Sequence, residues 1–334
     1  MNPGAAKPSL VVIGNGMAGM RTVEELHKLA PDLYGITVFG AEPHVNYNRI
    51  LLSPVLAGEK KAEDIVLHPR EWYDAHGITL HSGDPVVRID RVRRTVHAQS
   101  GRQVRYDRLL LATGSRPFVV PVPGHELPGV VGFRDLDDVD TMLQAAAIGR
   151  HAVVIGGGLL GLEAASGLKR RGMDVTVVHV TGSLMNQQLD THASSLLKGA
   201  LEDKGLRFML DAHTAEITGN GRVAGVRFRD GTEIPADLVV MAAGVRPNIA
   251  LARDSGLHCD RAIVVDDTLQ TYDPRVYAVG ECVQHRSATF GLVGHGAHPC
   301  IRRAYGGRRL RMGIGTNREP TQAIIGKSDF SILV

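Results

Sequence analysis

Two glycine-rich turns constrain what this chain can fold into more than any other feature of the sequence. The first, Gly14 to Gly19, reads G-N-G-M-A-G and follows the apolar run LVVI; the second, Gly156 to Gly161, reads G-G-G-L-L-G and follows AVVI. A segment of helical periodicity and a second apolar run follow each turn. Strand, glycine turn, helix and strand in this order predict a dinucleotide-binding α/β unit.

Each glycine of such a turn has its own task. Gly14 permits the tight turn out of the strand, Gly16 lets the backbone approach a pyrophosphate, and Gly19 lets the helix pack on the sheet. The free N–H groups and partial positive charge at the helix N-terminus then favour phosphate. The same three tasks fall in the second turn on Gly156, Gly158 and Gly161.

Each unit continues with a second half of the same kind. Segments 86–104 and 216–233 alternate apolar and polar residues around glycine-containing turns, which predicts antiparallel ribbons. They lead into R-L-L-L-A-T-G, ending at Gly114, and L-V-V-M-A-A-G, ending at Gly244. The predicted fold class is α/β, with two Rossmann-like domains that each combine a parallel sheet and an antiparallel β ribbon. Four prolines between 117 and 128 suggest the linker.

Composition argues against several other classes of protein. The net charge of +3 is too small to argue for nucleic acid, and no apolar stretch is long enough to span a membrane. The three cysteines, Cys259, Cys282 and Cys300, form no C-x-x-C pair, which disfavours a disulfide scaffold, a zinc site or a dithiol centre. We therefore expect a cytoplasmic protein without metal ligands, a nucleic-acid partner or a membrane partner.

Four further residues are candidates for cofactor contacts. Glu42 follows the second strand of the first unit, where an acid binds a ribose, although it could be a solvated loop residue. His179 takes the equivalent place in the second unit, and with neither acid nor Arg there the choice between NAD and NADP stays open. Glu163, expected in the first helical turn, either complements the helix dipole or lies near a nicotinamide. Glu281, just past a strand, could accept hydrogen bonds from a polyol.

Five motifs in order resemble the pyridine-nucleotide-disulfide oxidoreductase superfamily. In that superfamily FAD lies on the first unit and NADH or NADPH on the second, and hydride passes from nicotinamide to flavin. No catalytic side chain is required, because the cofactors carry the redox chemistry. The motifs are G-N-G-M-A-G (14–19), A-T-G-S-R-P (112–117), G-G-G-L-L-G-L-E (156–163), A-A-G-V-R-P-N (242–248) and Y-A-V-G-E-C (277–282).

Segment 45–58, V-N-Y-N-R-I-L-L-S-P-V-L-A-G, has no cysteine pair, unlike the disulfide reductases. It resembles the ferredoxin, rubredoxin and nitrite reductase branch, in which Arg49 and Ser53 would lie near the flavin. Pro54 stands where many relatives have Lys, so a lysine–glutamate pair with Glu163 is not supported. Segments 178–190 and 280–286 most resemble the N-terminal flavin module of the large subunit of assimilatory NAD(P)H nitrite reductase, an enzyme of nitrate assimilation.

The resemblance implies electron transfer from FAD to an iron–sulfur or sirohaem acceptor on another domain or protein. The chain would then be the NAD(P)H-oxidising part of a nitrite reductase, in truncated form. A free-standing ferredoxin or rubredoxin reductase and an inactive dinucleotide-binding remnant are the alternatives. The expected cofactor-binding residues are Gly14, Gly16, Met17, Ala18, Gly19, Glu42, Arg49, Ser53, Val86, Thr113, Gly114, Gly156, Gly158, Leu159, Leu160, Gly161, Glu163, His179, Gly244, Gly280 and Glu281.

The order of the motifs predicts how the chain divides into domains. We expect an FAD-binding domain in two parts, 1–118 and 249–292, around an NAD(P)H-binding domain at 119–248. The remainder, 293–334, is an atypical basic tail rich in Gly and Arg, with no acid between Cys282 and Arg318. Its abrupt change of composition suggests a shifted reading frame near residue 293 or a disordered segment.

Overall fold

A computed structural model describes residues 7–286, 288 and 289 of the chain. The predicted frame-shifted or disordered tail at 293–334 lies outside the described residues. The described chain divides into two compact units. The first unit holds residues 7–48, 66–116 and 247–289 as far as they are described, and the second unit holds 49–65 and 117–246.

The helices and strands are numbered here in chain order. The helices are α1 (Met17–Leu29), α2 (Leu52–Ala57), α3 (Arg70–Ala75), α4 (Leu136–Ile148), α5 (Leu159–Arg170), α6 (Thr191–Asp203) and α7 (Ala250–Asp254). The strands are β1 (Ser9–Ile13), β2 (Gly35–Gly40), β3 (Asn46–Tyr47), β4 (Val66–His68), β5 (Thr79–Ser82), β6 (Val86–Asp90), β7 (Thr95–Ala98), β8 (Gln103–Arg105), β9 (Arg108–Leu111), β10 (Ser115–Pro117), β11 (Val130–Val131), β12 (His151–Ile155), β13 (Asp174–Val178), β14 (Arg207–Met209), β15 (Thr214–Gly219), β16 (Val223–Phe228), β17 (Glu233–Pro235), β18 (Leu238–Met241), β19 (Val245–Pro247), β20 (Ile263–Val265), β21 (Val276–Ala278), β22 (Val283–His285) and β23 (Ala288–Thr289).

The first unit is built on a five-stranded parallel sheet in the order β21-β9-β1-β2-β5. Consecutive residues Val11 and Val12 are both fully buried, so both faces of β1 are covered, as in parallel sheets generally. The register aligns Ile13 with Phe39 and with Leu111, and Leu111 with Ala278. The glycine turn, the A-T-G segment and the V-G-E segment therefore emerge at one edge of the sheet, where ligands bind in such folds.

The second unit repeats this plan with the parallel order β11-β18-β12-β13-β14. Val153 and Val154 are again buried on successive positions. Ile155 aligns with Val178 and with Met241, so the second glycine turn and the A-A-G segment share the carboxyl edge of their sheet. The predicted α/β class with two Rossmann-like parallel sheets is confirmed.

Each unit also carries the antiparallel ribbon that the sequence predicts. In the first unit β6, β7 and β8 pair in sequence, and in the second β15, β16 and β17 do the same. The proline-rich segment 117–128 packs against the second ribbon and is no free linker. The Ile217 N–H donates to the Pro123 carbonyl at 2.9 Å, and the Val223 N–H donates to the Pro128 carbonyl at 3.0 Å.

Segment 49–65 packs with the second unit, although the sequence analysis placed it in the first domain. The guanidinium of Arg171 donates to the carbonyls of Leu56, at 2.6 Å, and Val55, at 3.1 Å. A side chain at Gly167 would meet Leu56 at 2.8 Å, so glycine allows α2 to lie close against α5. Contacts distant in sequence decide this placement. The assignment of domains to particular cofactors stays a prediction.

Candidate dinucleotide-binding sites

The first glycine turn is closed by the end of β9. Gly14 has φ +114°, and a Cβ on it would lie 2.1 Å from the Ala112 carbonyl oxygen. A Cβ on Gly19 would lie 2.8 Å from the Gly14 carbonyl oxygen and 2.9 Å from Ala112 Cβ. Both positions therefore exclude any larger residue. Ala112, which the sequence analysis quoted only as part of a motif, is the surface against which the turn is formed.

Gly16 differs from its two neighbouring glycines because the space beside it is open. It precedes α1 with φ −85° and ψ 177°, and no described side chain caps the helix that Met17 and Ala18 begin. A Cβ on Gly16 would meet no described atom within 4 Å. The first turn of α1 contains no acidic residue. Free N–H groups beside open space, with no carboxylate in the first helical turn, fit a pyrophosphate.

The second glycine turn has a similar geometry. Gly156 has φ +132°, with a built Cβ 2.2 Å from the Ala242 carbonyl oxygen, and a Cβ on Gly161 would lie 1.9 Å from the Gly156 carbonyl oxygen. Gly158 precedes α5 with φ −86° and ψ 179°, and a Cβ there would again meet no described atom within 4 Å. The helix begins at Leu159, which is 46% exposed, and Leu160. The second turn fits a pyrophosphate on the same grounds.

The V-G-E segment of the first unit lies against the start of α1. Gly280 has φ +83°, and a Cβ on it would lie 2.8 Å from Ala18 Cβ. Glu281 is 2% exposed, and its Oε2 accepts a hydrogen bond from the Ser115 hydroxyl at 2.6 Å. Cys282 is fully buried, and burial raises the pKa of its thiol. The structure thus brings the predicted Glu281 beside the glycine turn and leaves Cys282 as a packing residue.

The A-T-G segment is clamped by a residue that the sequence analysis did not single out. The Thr113 hydroxyl donates to the Asn248 carbonyl at 2.7 Å, and the Asn248 amide donates to the Thr113 carbonyl at 2.9 Å. The Asn248 N–H also donates to the Gly114 carbonyl at 2.9 Å. Gly114 and Gly244, three residues beyond the ends of β9 and β18, both have positive φ, +65° and +114°. Val86, which was also predicted to contact a cofactor, is half-buried at the start of β6.

A buried polar network supports the first glycine turn. The Tyr73 hydroxyl donates to Asn15 Oδ1 at 2.7 Å, and the Asn46 amide donates to the Asn15 carbonyl at 2.9 Å. Asn46 Oδ1 in turn lies 2.9 Å from His68 Nδ1, and His68 Nε2 lies 2.6 Å from Glu24 Oε1. Burial raises the pKa of Tyr73 to about 12, so the phenol stays a donor. The network fixes the backbone between Gly14 and Gly16.

Glu42 and His179 are not equivalent positions, contrary to the sequence analysis. Ile13 aligns with Phe39 in the first unit, and Ile155 aligns with Val178 in the second. By this register His179 corresponds to Gly40, and Thr181 corresponds to Glu42. Strand β13 ends at Val178, so His179 is the first residue after it. Glu42 Oε2 accepts a hydrogen bond from the Tyr47 hydroxyl at 2.6 Å, which orients the carboxylate after β2.

His179 binds the second glycine turn. Its Nδ1 accepts a hydrogen bond from the Gly157 N–H at 3.1 Å, and a Cβ on Gly157 would meet the imidazole at 2.8 Å. Burial lowers the pKa of His179, which agrees with a ring nitrogen that must keep its lone pair. The imidazole is therefore neutral at pH 7 and acts as the support of the turn.

Glu163 was predicted in the first turn of α5, but it lies beyond that turn. No acid is present in that first turn, so Glu163 does not serve as the expected dipole complement there. The hydroxyl of the buried Ser53 donates to Glu163 Oε2 at 2.7 Å. Arg49 donates to the Arg134 carbonyl at 2.9 Å. The second unit therefore joins two predicted contacts, Ser53 and Glu163, directly; their contact with a flavin stays a prediction.

Two further features are absent from the described residues. Within that part of the chain, no group of three His, Cys, Asp or Glu side chains could hold a metal ion. The same residues include no helix with the length and apolar character needed to cross a membrane.

Comparison with known proteins gives the chain its relatives. Residues 8–297 match the family model for pyridine nucleotide-disulphide oxidoreductases. The chain is 52% identical over 287 residues to a nitrite reductase [NAD(P)H] of Bacillus subtilis, covering 86% of this chain and 36% of that protein. It is 48% identical over 287 residues to an assimilatory nitrate reductase electron transfer subunit of the same organism, covering 86% and 37%.

Among solved structures, the chain resembles a ferredoxin reductase for the CYP199A2 system from Rhodopseudomonas palustris. The TM-score is 0.82 at 30% identity, over 90% of this chain and 77% of that chain. The chain thus spans a little over a third of the two Bacillus proteins and most of the reductase.

Proposed function

The chain belongs to the pyridine nucleotide-disulphide oxidoreductase family, and from that premise we propose that it is a flavoprotein oxidoreductase. FAD would bind the first unit and NADH or NADPH the second. The repeated turn geometry carries this proposal. Each unit offers an uncapped helix N-terminus, with open space beside Gly16 or Gly158, at the ligand-binding edge of a parallel sheet.

The described residues fit the two cofactors in distinct ways. In the first unit, the N–H groups of Met17 and Ala18 would face the FAD pyrophosphate, and Glu281 would accept hydrogen bonds from the ribityl hydroxyls. In the second unit, the N–H groups of Leu159 and Leu160 would face the pyrophosphate of NAD(P)H. Bound FAD supplies the conversion of a two-electron hydride transfer into single-electron steps, and the protein positions and orients.

The acceptor is proposed from the relatives. The names of the two Bacillus proteins favour an electron-input role in nitrite or nitrate reduction, with an iron–sulfur or sirohaem acceptor on another domain or protein. A free-standing reductase of an iron–sulfur protein is the second candidate, because the chain covers 77% of the ferredoxin reductase. A cytoplasmic location is part of the proposal, and the free thiols of Cys259 and Cys282 support it.

One spectroscopic experiment with two matched variants tests the cofactor assignment. We expect the protein to be yellow, or to become yellow with added FAD, and to bleach anaerobically with NADH or NADPH. Gly16→Ala places one methyl group in the open space of the first turn and should abolish flavin retention. Gly158→Ala should keep the yellow colour while raising the concentration of reduced nicotinamide needed for half-bleaching about tenfold or more.

A colourless protein that takes up no FAD would refute the proposal, as would two variants with the same phenotype. Acceptors are then tested with the NADH-reduced protein. Rapid reduction of a small iron–sulfur protein, with none of a sirohaem protein, would favour the free-standing reductase. The reverse result would favour the electron-input role.

A further inference from the structure

The second sheet brings a carboxylate to the loop where a dinucleotide presents its adenosine ribose. In such units the residues after the second strand bind the 2′-hydroxyl of NAD or the 2′-phosphate of NADP. Here that loop is 179–183, directly after β13. Asp211 follows the neighbouring strand β14, which pairs with β13 in parallel.

The contact between Asp211 and the loop is close. A Cβ on Gly182 would lie 3.0 Å from Asp211 Oδ2 and 3.4 Å from Oδ1, so both carboxylate oxygens lie over Gly182. The Asp211 N–H lies 3.4 Å from the Thr181 carbonyl, and the Ala212 N–H donates to the His179 carbonyl at 3.0 Å. Asp211 itself has φ +52°, a conformation that Asp and Asn tolerate better than most residues.

No positive charge in the loop balances this carboxylate. Residues 179–189 contain neither Lys nor Arg. Asp211 makes no ion pair within the described part of the chain. His179 belongs to the same loop, but its Nδ1 accepts the Gly157 N–H, and burial lowers its pKa. Val180, 53% exposed, adds only apolar surface.

We infer that Asp211 makes the second unit selective for the nicotinamide dinucleotide without a 2′-phosphate, NADH rather than NADPH. A ribose 2′-hydroxyl can donate a hydrogen bond to the carboxylate, whereas a 2′-phosphate, with nearly two negative charges, would be repelled by it. This inference rests on the proposed function of the second unit as a nicotinamide dinucleotide site. The sequence alone left the choice between NAD and NADP open, and the position of Asp211 favours NAD.

The test compares Asp211→Asn with Asp203→Asn, an exposed acid at the end of α6 that serves as the matched control. Asn keeps the size and the tolerated backbone of Asp211 and removes only the charge. Binding of NAD⁺ and NADP⁺ is measured by calorimetry, which requires no turnover. We expect the wild-type protein and Asp203→Asn to bind NAD⁺ at least about tenfold more tightly than NADP⁺.

In Asp211→Asn that ratio should fall about fivefold or more, mainly because NADP⁺ binds more tightly. An unchanged ratio would overturn the inference, and so would a wild-type preference for NADP⁺ or a failure to bind either nucleotide. The outcome is separable from that of the proposed function, since a yellow protein bleached equally well by NADH and NADPH sustains the function and overturns only the selectivity.

Discussion

Gly16 and Gly158 have nearly the same backbone angles, φ −85° and ψ 177° against φ −86° and ψ 179°, but the residues that precede them are held differently. In the first unit Asn15 is bound by Tyr73 and Asn46 through its side chain and its carbonyl. In the second unit the equivalent residue is Gly157, whose N–H donates to His179.

The turn and its support are therefore separate features. The turn follows from three glycines and a carbonyl from the neighbouring strand, Ala112 or Ala242, in both units. The support comes from elements that the units do not share. The first uses a network of amides, a phenol and His68, and the second uses the imidazole of His179 directly. We expect substitution of a glycine to lower the free energy of unfolding similarly in both units. Substitution of a supporting side chain should lower it by different amounts.

The largest effect is expected from a methyl group on the closed glycines. In Gly14→Ala and Gly156→Ala the new Cβ would stand 2.1 Å and 2.2 Å from a backbone carbonyl oxygen, at φ +114° and +132°. Backbone must move in either case, and we expect the free energy of unfolding in urea to fall by more than about 3 kcal/mol.

Two other glycines provide the control for backbone strain alone. Gly77 and Gly172 have φ +63° and +89°, and a Cβ on either would meet no described atom within 4 Å. Their Ala variants should therefore lose only about 1 kcal/mol. If Gly14→Ala cost no more than Gly77→Ala, the close approach of Ala112 would not be what requires glycine at the first turn.

A smaller and asymmetric effect is expected from removing the supports. Asn46 is 1% exposed and joins the Asn15 carbonyl to His68, so Asn46→Ala leaves buried polar atoms without a partner. We expect a loss of about 2 to 3 kcal/mol in urea unfolding, against about 1 kcal/mol for His179→Ala, which removes a single hydrogen bond. Asn220→Ala, at an exposed turn of the second ribbon, is the control and should be neutral. Equal losses for Asn46→Ala and His179→Ala would contradict the contrast between a network and a single bond.

The smallest effect is expected from the titration of His179, measured as the difference between the wild type and a variant without that imidazole. The pKa of His179 is lowered by burial, so the unfolded chain binds a proton at a higher pH than the folded chain. Its contribution to stability is complete above the unfolded pKa of about 6.5 and is lost as the pH falls through the lower folded pKa. Lowering the pH from 7.5 to 5, as about 6.5 is crossed, should cost the wild type up to about 1 kcal/mol more than His179→Gln.

The measurement is the urea midpoint as a function of pH, with His192→Gln, an exposed histidine of α6, as the control. That control should follow the wild type. A His179→Gln variant with the same pH profile as the wild type would show that the imidazole does not support the second turn.

The repeated architecture follows from local features of the sequence. Strands of buried β-branched residues, glycines at fixed spacing and alternating ribbon segments are local patterns, and local patterns dictate local structure. The glycine turns, both parallel sheets and both ribbons are where the sequence predicts them. Glu281, Ser53 and Glu163 were predicted as candidates. The hydrogen bonds from Ser115 to Glu281 and from Ser53 to Glu163 were not predicted.

The three-dimensional fold was needed to show which distant residues meet. It showed that His179 occupies the position in the second unit that Gly40, not Glu42, occupies in the first, because that position follows from the strand register within each sheet. It placed Asn248 on the A-T-G segment and Asp211 over Gly182, each across a separation that no local pattern spans. The backbone of the glycine turns thus follows from short sequence motifs. The side chains that support the turns and select the ligand are brought together by tertiary packing.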